Sequence, residues 1–279
     1  MITAPTTRTA EAAGQAAAVE RGLYVYGITL GQSGCSLGPI GLDQQEVYMV
    51  AHGGLSAAVH DCPARPYQSA DRQTLEAWIL AHQQVVMEVG RRFGAILPMT
   101  FNTVVHGGGG SLPRDDTPAE SLRAWLAEKH GQFTDLLARL KGKAEYGVQI
   151  LWDREVVART IVETDPDLKA IRCEIVGKPK GLAYMLGQKL AKTTRAAMET
   201  WANQTAGKFY EQIRRCVDDV RAGKAGSGKE QRLVLLDLSC LMREGETALG
   251  EALDEIARTP GISVRFTGPW PPYSFVSHG

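Results

Sequence analysis

The sequence predicts an α+β protein of two domains, and three observations predict it. Apolar residues alternate with polar ones in several short segments, as in residues 22–29 (GLYVYGIT) and 143–153 (KAEYGVQILWD), and that two-residue period belongs to a strand with one buried face. Elsewhere they recur at three and four residues, as at Leu75, Trp78, Ile79, His82, Val85, Val86 and Val89, which is the period of a helix face. The chain has 279 residues, about two domains at roughly 150 residues each, and a new cycle of strand and helix begins past Lys141.

Residues 1–20 are rich in Thr and Ala and lack the basic start and Leu-rich core of a secretion signal, so they are expected to form a loose N-terminal tail. An N-terminal α+β domain then spans 21–141. Residues 22–29 read as a half-buried strand that runs into a Gly-rich loop through Gly41. Residues 46–52 and 55–60 read as two strands joined by Gly53-Gly54, the turn chemistry of a tight hairpin. The helix of 71–92 is stopped by Gly94, and 95–105 is extended but broken by Pro98, which removes a ladder donor. Residues 107–118 are a loop, and 118–140 read as a single amphipathic helix carrying Leu122, Trp125, Leu126, Phe133, Leu136, Leu137 and Leu140.

The second domain, 142–267, opens with the strand at 143–153, followed by helical residues 161–180 with breaks at Pro166, Gly177 and Pro179. A stripe from Leu182 through Leu190, Trp201, Phe209 and Ile213 to Val220 predicts a helix of about 40 residues, roughly 60 Å long at 1.5 Å per residue. Such a length suggests that it packs partly on the first domain. Residues 231–242 read as a strand with a break near Asp237, 244–258 as a helix and 261–267 as a strand. That order is the ferredoxin-like plan with a long helical insert and one strand merged or unresolved.

Charge and spacing exclude several functions. Lys plus Arg is 31 and Asp plus Glu is 31, a net charge of zero, so no field gathers nucleic acid or anionic lipid. No apolar run approaches the ~18 residues of a spanning helix. Cys35, Cys62, Cys173, Cys216 and Cys240 form no closely spaced pair, which suits core packing in a reducing, cytoplasmic setting. None of the six histidines is three or four residues from another, and His52 and His60, facing across the hairpin, lack a third ligand, so no metal is expected. Asp115-Asp116 and Asp218-Asp219 read as solvated ends and 107–111 as a linker. Gly223 to Lys229 (GKAGSGK) matches the first seven positions of a phosphate-binding loop, but Glu230 stands where Ser or Thr should be and the loop leaves a helix to enter a strand. A nucleotide-binding enzyme using this loop is the alternative reading. An RNA-binding sheet is a third, and it lacks the aromatic signature of such sheets. No catalytic residue and no cofactor are expected.

One segment is unusual. Gly268, Pro269, Trp270, Pro271, Pro272, Tyr273, Ser274, Phe275 and Val276 set three aromatics among three prolines, a stiff arm with little entropy left to lose on docking. It is expected to clamp its own protein, with Trp270, Tyr273 and Phe275 each able to bury ~150–250 Å².

This arm, together with Leu23-Tyr24-Val25-Tyr26-Gly27-Ile28, the segment Leu97-Pro98-Met99-Thr100-Phe101-Asn102-Thr103-Val104, Glu145-Tyr146-Gly147-Val148 and Gly181-Leu182-Ala183-Tyr184-Met185-Leu186, resembles the gas vesicle protein GvpF/GvpL family in matching order, over nearly the whole chain from Arg21 onward. The family usually has Gly at Asn102, a basic residue at Leu182 and an Ala-rich strand at 236–240. The resemblance implies an accessory protein of gas vesicle assembly without catalytic residues or cofactor, whose second domain is a modified ferredoxin-like fold. It also implies binding to the hydrophobic shell protein GvpA and to other accessory proteins, in the cytoplasm, at the forming vesicle. The candidate edge for that partner is the strand with Leu236, Leu238 and Cys240, where Asp237 would guard against aggregation.

Overall fold

The structure, a computed structural model, describes residues 20–31, 34–107, 117–223 and 232–276. The expected tail at 1–19, the acidic pair Asp115-Asp116, His278 and all of the phosphate-loop match beyond Gly223 lie outside the described residues.

The first sheet is built from β1 (Arg21–Leu30), β2 (Ser36–Gly38), β3 (Val47–His52), β4 (Leu55–Pro63), β5 (Leu97–Pro98) and β6 (Val104–His106). Its order is β2-β3-β4-β1-β5, with β6 also on β1. β1 was expected to be half-buried, but every residue between its two ends is buried, because helices cover both faces. Tyr24 and Tyr26 pack with Val85, Val86 and Val89 of α1 (Arg72–Phe93) on one side. Leu23 and Val25 pack with Leu122, Leu126, Phe133 and Leu137 of α2 (Pro118–Glu128) and α3 (His130–Leu140) on the other. A β-bulge between Val25 and Gly27 in the pairing with β4 reverses the alternation, so Ile28 joins the cluster of Leu23 and Val25.

Local chemistry sets the element ends. Asp71 caps α1 by accepting the Gln73 and Thr74 amides, and Gly94 ends it at φ 79°. Gly53 and Gly54 take φ 59° and 88° in the β3–β4 hairpin, the positive values such a turn requires. The single helix expected over 118–140 is two, broken at Lys129. The break keeps Leu122 and Leu126, then Phe133, Leu136, Leu137 and Leu140, on one cluster against a twisted sheet.

The second sheet, in order β10-β7-β9-β8 and antiparallel throughout, comprises β7 (Lys143–Asp153), β8 (Asp219–Ala222), β9 (Arg232–Arg243) and β10 (Ile262–Trp270). Between β7 and β8 lie α4 (Arg154–Thr164), α5 (Pro166–Ile175) and α6 (Lys180–Arg214); α7 (Ala248–Ala257) links β9 to β10. The long helix ends at Arg214, not Val220. Val217 packs on the sheet core beyond it, and Val220 does so from β8, the strand that the helical stripe had concealed. Among the described residues, the buried and half-buried apolar side chains of α6 pack on the second sheet and its helices, not on the first sheet as expected. Its first half lies on α4 and α5 through Leu190, Ala197 and Trp201, and its second half drives Phe209 and Ile213 into the second sheet. The irregularity in β9 falls between Val234 and Leu236, opposite Ile150 and Leu151, instead of at Asp237.

Candidate functional site

The end of the chain ties the two sheets together. β10 runs past Thr267, skips register, and pairs Trp270 with Glu145. Pro271 and Pro272 are buried, and the short turn α8 (Tyr273–Val276) follows. Phe275 is fully buried in the cluster of Leu23, Val25, Leu97 and Leu137 from the first domain with Leu241 from β9. The Arg221 guanidinium lies 5.3 Å over its ring and donates to the Ser274 carbonyl, while Arg139 donates to the Phe275 carbonyl at 2.9 Å. The Glu145 carboxylate accepts from the Ser274 amide at 2.8 Å and from its hydroxyl at 2.6 Å. With that hydroxyl proton committed, Ser239 donates to the Ser274 oxygen at 3.0 Å.

Tyr273 closes a buried polar relay. Its hydroxyl donates to Gln83 Oε1 at 3.2 Å and stands 3.2 Å from His82 Nε2. Nε2 also faces the Met99 carbonyl at 3.1 Å; a carbonyl only accepts, so Nε2 carries the proton and Nδ1 accepts from the Tyr24 hydroxyl at 2.9 Å. The Asn102 amide donates to the Tyr24 oxygen at 3.2 Å. A second relay is built alike: the Leu42 amide donates to the Tyr26 hydroxyl oxygen, that hydroxyl lies 2.8 Å from His60 Nδ1, and His60 Nε2 meets the Tyr67 hydroxyl. Burial holds both imidazoles down to about 4 and raises the Tyr24 and Tyr26 phenols well above their ordinary value. All four side chains are enclosed, and their polar atoms bond to one another and to the backbone, so they bind the structure together.

Two exposed features flank the clamp. A cleft of about 650 Å³ opens between the outer face of α1 (Met87, Gly90, Arg91), the start of β7 and the segment from Pro269 to Pro272. Beside it β10 forms the outer strand of its sheet. Phe266 is 47% exposed and stacks on Tyr146 at 5.4 Å, and Trp270 is 45% exposed.

The expected site residues divide accordingly. Gly268, Pro269 and Trp270 belong to the outer strand, whereas Pro271, Pro272, Tyr273 and Phe275 dock; Trp270 is not an anchor. The strand with Leu236, Leu238 and Cys240 is not an edge. β9 sits between β7 and β8, β8 pairs across Leu238 to Leu241, and Leu238 and Cys240 point into the core. Leu236 lies beyond the reach of β8 and is half-buried. Three groups to which sequence reasoning assigned no role in the arm, Glu145, Arg139 and Arg221, are separated from Ser274 and Phe275 by 53 to 136 positions, and only folding joins them. The available signal was Glu145, a carboxylate in a motif of β7 already quoted for the family resemblance.

His52 and His60 do not face each other, since His52 pairs with Leu55 and His60 is buried beside Tyr26. Among the described residues no group of three His, Cys, Asp or Glu could hold a metal ion. Gly223 follows β8 and the next described element is the strand β9, so the phosphate-loop match lies between two strands and does not leave a helix as expected. No described helix is long and apolar enough to cross a membrane.

Comparison with known proteins gives a consistent result. The family model described as gas vesicle synthesis protein GvpL/GvpF matches residues 22–277. Gas vesicle protein L1 of Halobacterium salinarum is 30% identical, covering 92% of this chain and 91% of the relative. Gas vesicle protein F of a Streptomyces strain is 29% identical over 91% of this chain and 98% of its own. The crystal structure of GvpF from Anabaena sp. PCC7120 matches with a TM-score of 0.69 at 20% identity, covering 92% of this chain and 99% of that one. GvpF from Microcystis aeruginosa matches at 0.60 with the same coverage. At that identity the likeness is one of fold.

Proposed function

Because the chain belongs to the GvpL/GvpF family of gas vesicle synthesis proteins, we propose that it is a non-catalytic accessory protein of vesicle assembly that binds the hydrophobic shell protein GvpA, and other accessory proteins, in the cytoplasm at the forming vesicle. The observation that carries this reading is the outer strand β10, on which Phe266 is half-exposed and Trp270, also half-exposed, lines the cleft. An unassembled shell subunit has apolar surface and strand edges to cover, and an outer strand next to an apolar cleft covers both by strand addition and side-chain docking. Pro269 and Arg265 blunt the same edge against pairing with unrelated strands.

We take residues 21–141 and 142–267 as the two domains and the second as a modified ferredoxin-like fold. The β-α-β-β-α-β succession and the order β10-β7-β9-β8 support this, with α4, α5 and α6 together as the first crossover.

The test is retention of purified GvpA by the immobilised full chain. The double variant Phe266→Ala/Trp270→Ala is expected to keep the wild-type melting temperature, since both rings are half-exposed, and to retain GvpA about tenfold less well. Undiminished retention by this variant removes β10 from the reading.

A further inference from the structure

Charge is unevenly distributed on this electrically balanced chain. From 175 to 198 there are five cations, Lys178, Lys180, Lys189, Lys192 and Arg195, and no acid. From 244 to 255 there are five acids, Glu244, Glu246, Glu251, Asp254 and Glu255, and no base. All five carboxylates are exposed, as are Lys178, Lys180, Lys189 and Lys192, and among the described residues none of the ten is in an ion pair.

Each charged patch adjoins exposed apolar surface. At the start of α6, Tyr184 is 69% and Met185 68% exposed, with Leu182 and Val176 beside them. Leu182, Met185, Lys189 and Lys192 recur at three and four residues, forming one solvent-facing stripe that is apolar in its first turns and cationic in the next. Tyr146, which stacks with Phe266, packs on the same cluster as Leu249, Leu253 and Ile256, so the stack lies beside α7, the helix that carries Glu251, Asp254 and Glu255.

The two patches do not meet within one molecule. α6 reaches α7 only at its far end, where Gln212 donates to Glu255 at 2.9 Å, and 27 residues of helix separate Gln212 from Met185, about 40 Å at 1.5 Å per residue. A membrane surface fits the cationic end poorly, since the apolar and basic halves follow each other along the helix and the opposite face is already packed through Leu190, Ala197 and Trp201.

We propose that the start of α6 docks on the α7 face of a second copy of this chain, pairing its lysines with the Glu251, Asp254 and Glu244 carboxylates and its Leu182, Tyr184 and Met185 side chains with the Tyr146–Phe266 stack. The contact is head-to-tail, so it repeats along the α6 axis instead of closing a dimer. Being electrostatic at an exposed surface, it weakens with salt.

The experiment is sedimentation velocity of the full chain at about 100 μM in 50 and 500 mM NaCl. The wild type is expected to form concentration-dependent oligomers at low salt and to dissociate at high salt. Lys189→Glu/Lys192→Glu and Glu251→Lys/Asp254→Lys, all exposed positions, should each be monomeric, and an equimolar mixture of the two should recover association. A wild type monomeric at low salt overturns the proposal, whether or not it binds an acidic protein or anionic vesicles; so does association unaffected by either charge reversal. The Lys189→Ala/Lys192→Ala variant provides the same reading if a reversal lowers the circular dichroism signal. None of these changes touches Phe266 or Trp270, so failure here leaves the GvpA reading as it stands, whereas success means that a second copy and GvpA compete for Phe266.

Discussion

His60 and His82 show how much a single buried side chain can tie stability to pH. Each is neutral in the fold, each has Nδ1 occupied by a tyrosine hydroxyl, and in each case that tyrosine oxygen already accepts a backbone amide. Protonation puts an N–H on both ring nitrogens, so the hydroxyl that donates to the neutral ring loses its acceptor. Burial accordingly depresses both groups from 6.5 to about 4. Below 6.5 the unfolded chain takes up protons that the folded chain refuses, so the stability present above 6.5 is lost as pH falls towards 4, on the order of 3 kcal/mol for each histidine. Urea denaturation at pH 7.5, 6 and 5 should show the midpoint falling stepwise; a midpoint constant across that range would disprove neutral burial. Asn102 makes a related point. It sits at φ 71° and bridges both Tyr67 backbone groups through its amide, so this position needs the left-handed region, which Asn visits more readily than most residues.

At the scale of elements, β1 is buried on both sides because helices cover both faces, and one irregularity decides which side chain meets which layer. The bulge between Val25 and Gly27 turns Ile28 to the layer of Leu23 and Val25, and glycine suits position 27 because a Cβ there would stand 2.6 Å from the Ile96 side chain and 2.9 Å from the Leu97 carbonyl. Gly27→Ala is expected to cost about 1–3 kcal/mol by overpacking, measured as a lower urea midpoint with unchanged slope. A neutral result would mean that β5 can move aside. α6 is the opposite case, a helix longer than its support. Of its 35 residues only Met198, Phe209 and Ile213 are buried, so the start of the helix is held by half-buried contacts with α4 and α5.

For the whole molecule, the last few described residues decide whether the two sheets behave as one unit. Phe275 completes a core to which β1, β5, α3 and β9 all contribute, and the Glu145–Ser274–Ser239 bonds fix it from the side of the second sheet. Removing residues 271–279 should cost at least the ~3–5 kcal/mol of deleting a buried phenylalanine. It should also split a single calorimetric transition into two, as the domains lose their shared core. A truncated protein that still melts in one transition at the wild-type temperature would show that the clamp is dispensable.

The sequence by itself determined the α+β class, most strands and helices and the family, because periodicity, turn glycines and short ordered motifs are local properties. β7 was legible to the residue, and α1 came with its start near Asp71 and its stop Gly94, whereas the terminal arm, expected to be too stiff for a helix, ends in the helical turn Tyr273–Val276. Tertiary structure alone decided which strand is outermost. Leu238 and Cys240 lie on an apolar strand that reads the same beside one neighbour or two, and β8, four residues long, continues the spacing of the helix before it. It likewise decided that Phe275 anchors while Trp270 stays half in solvent, and that Glu145, Arg139 and Arg221 converge on Ser274 and Phe275. Burial and long-range pairing depend on which surfaces meet in space, and a linear pattern carries the shape of each surface without its partner.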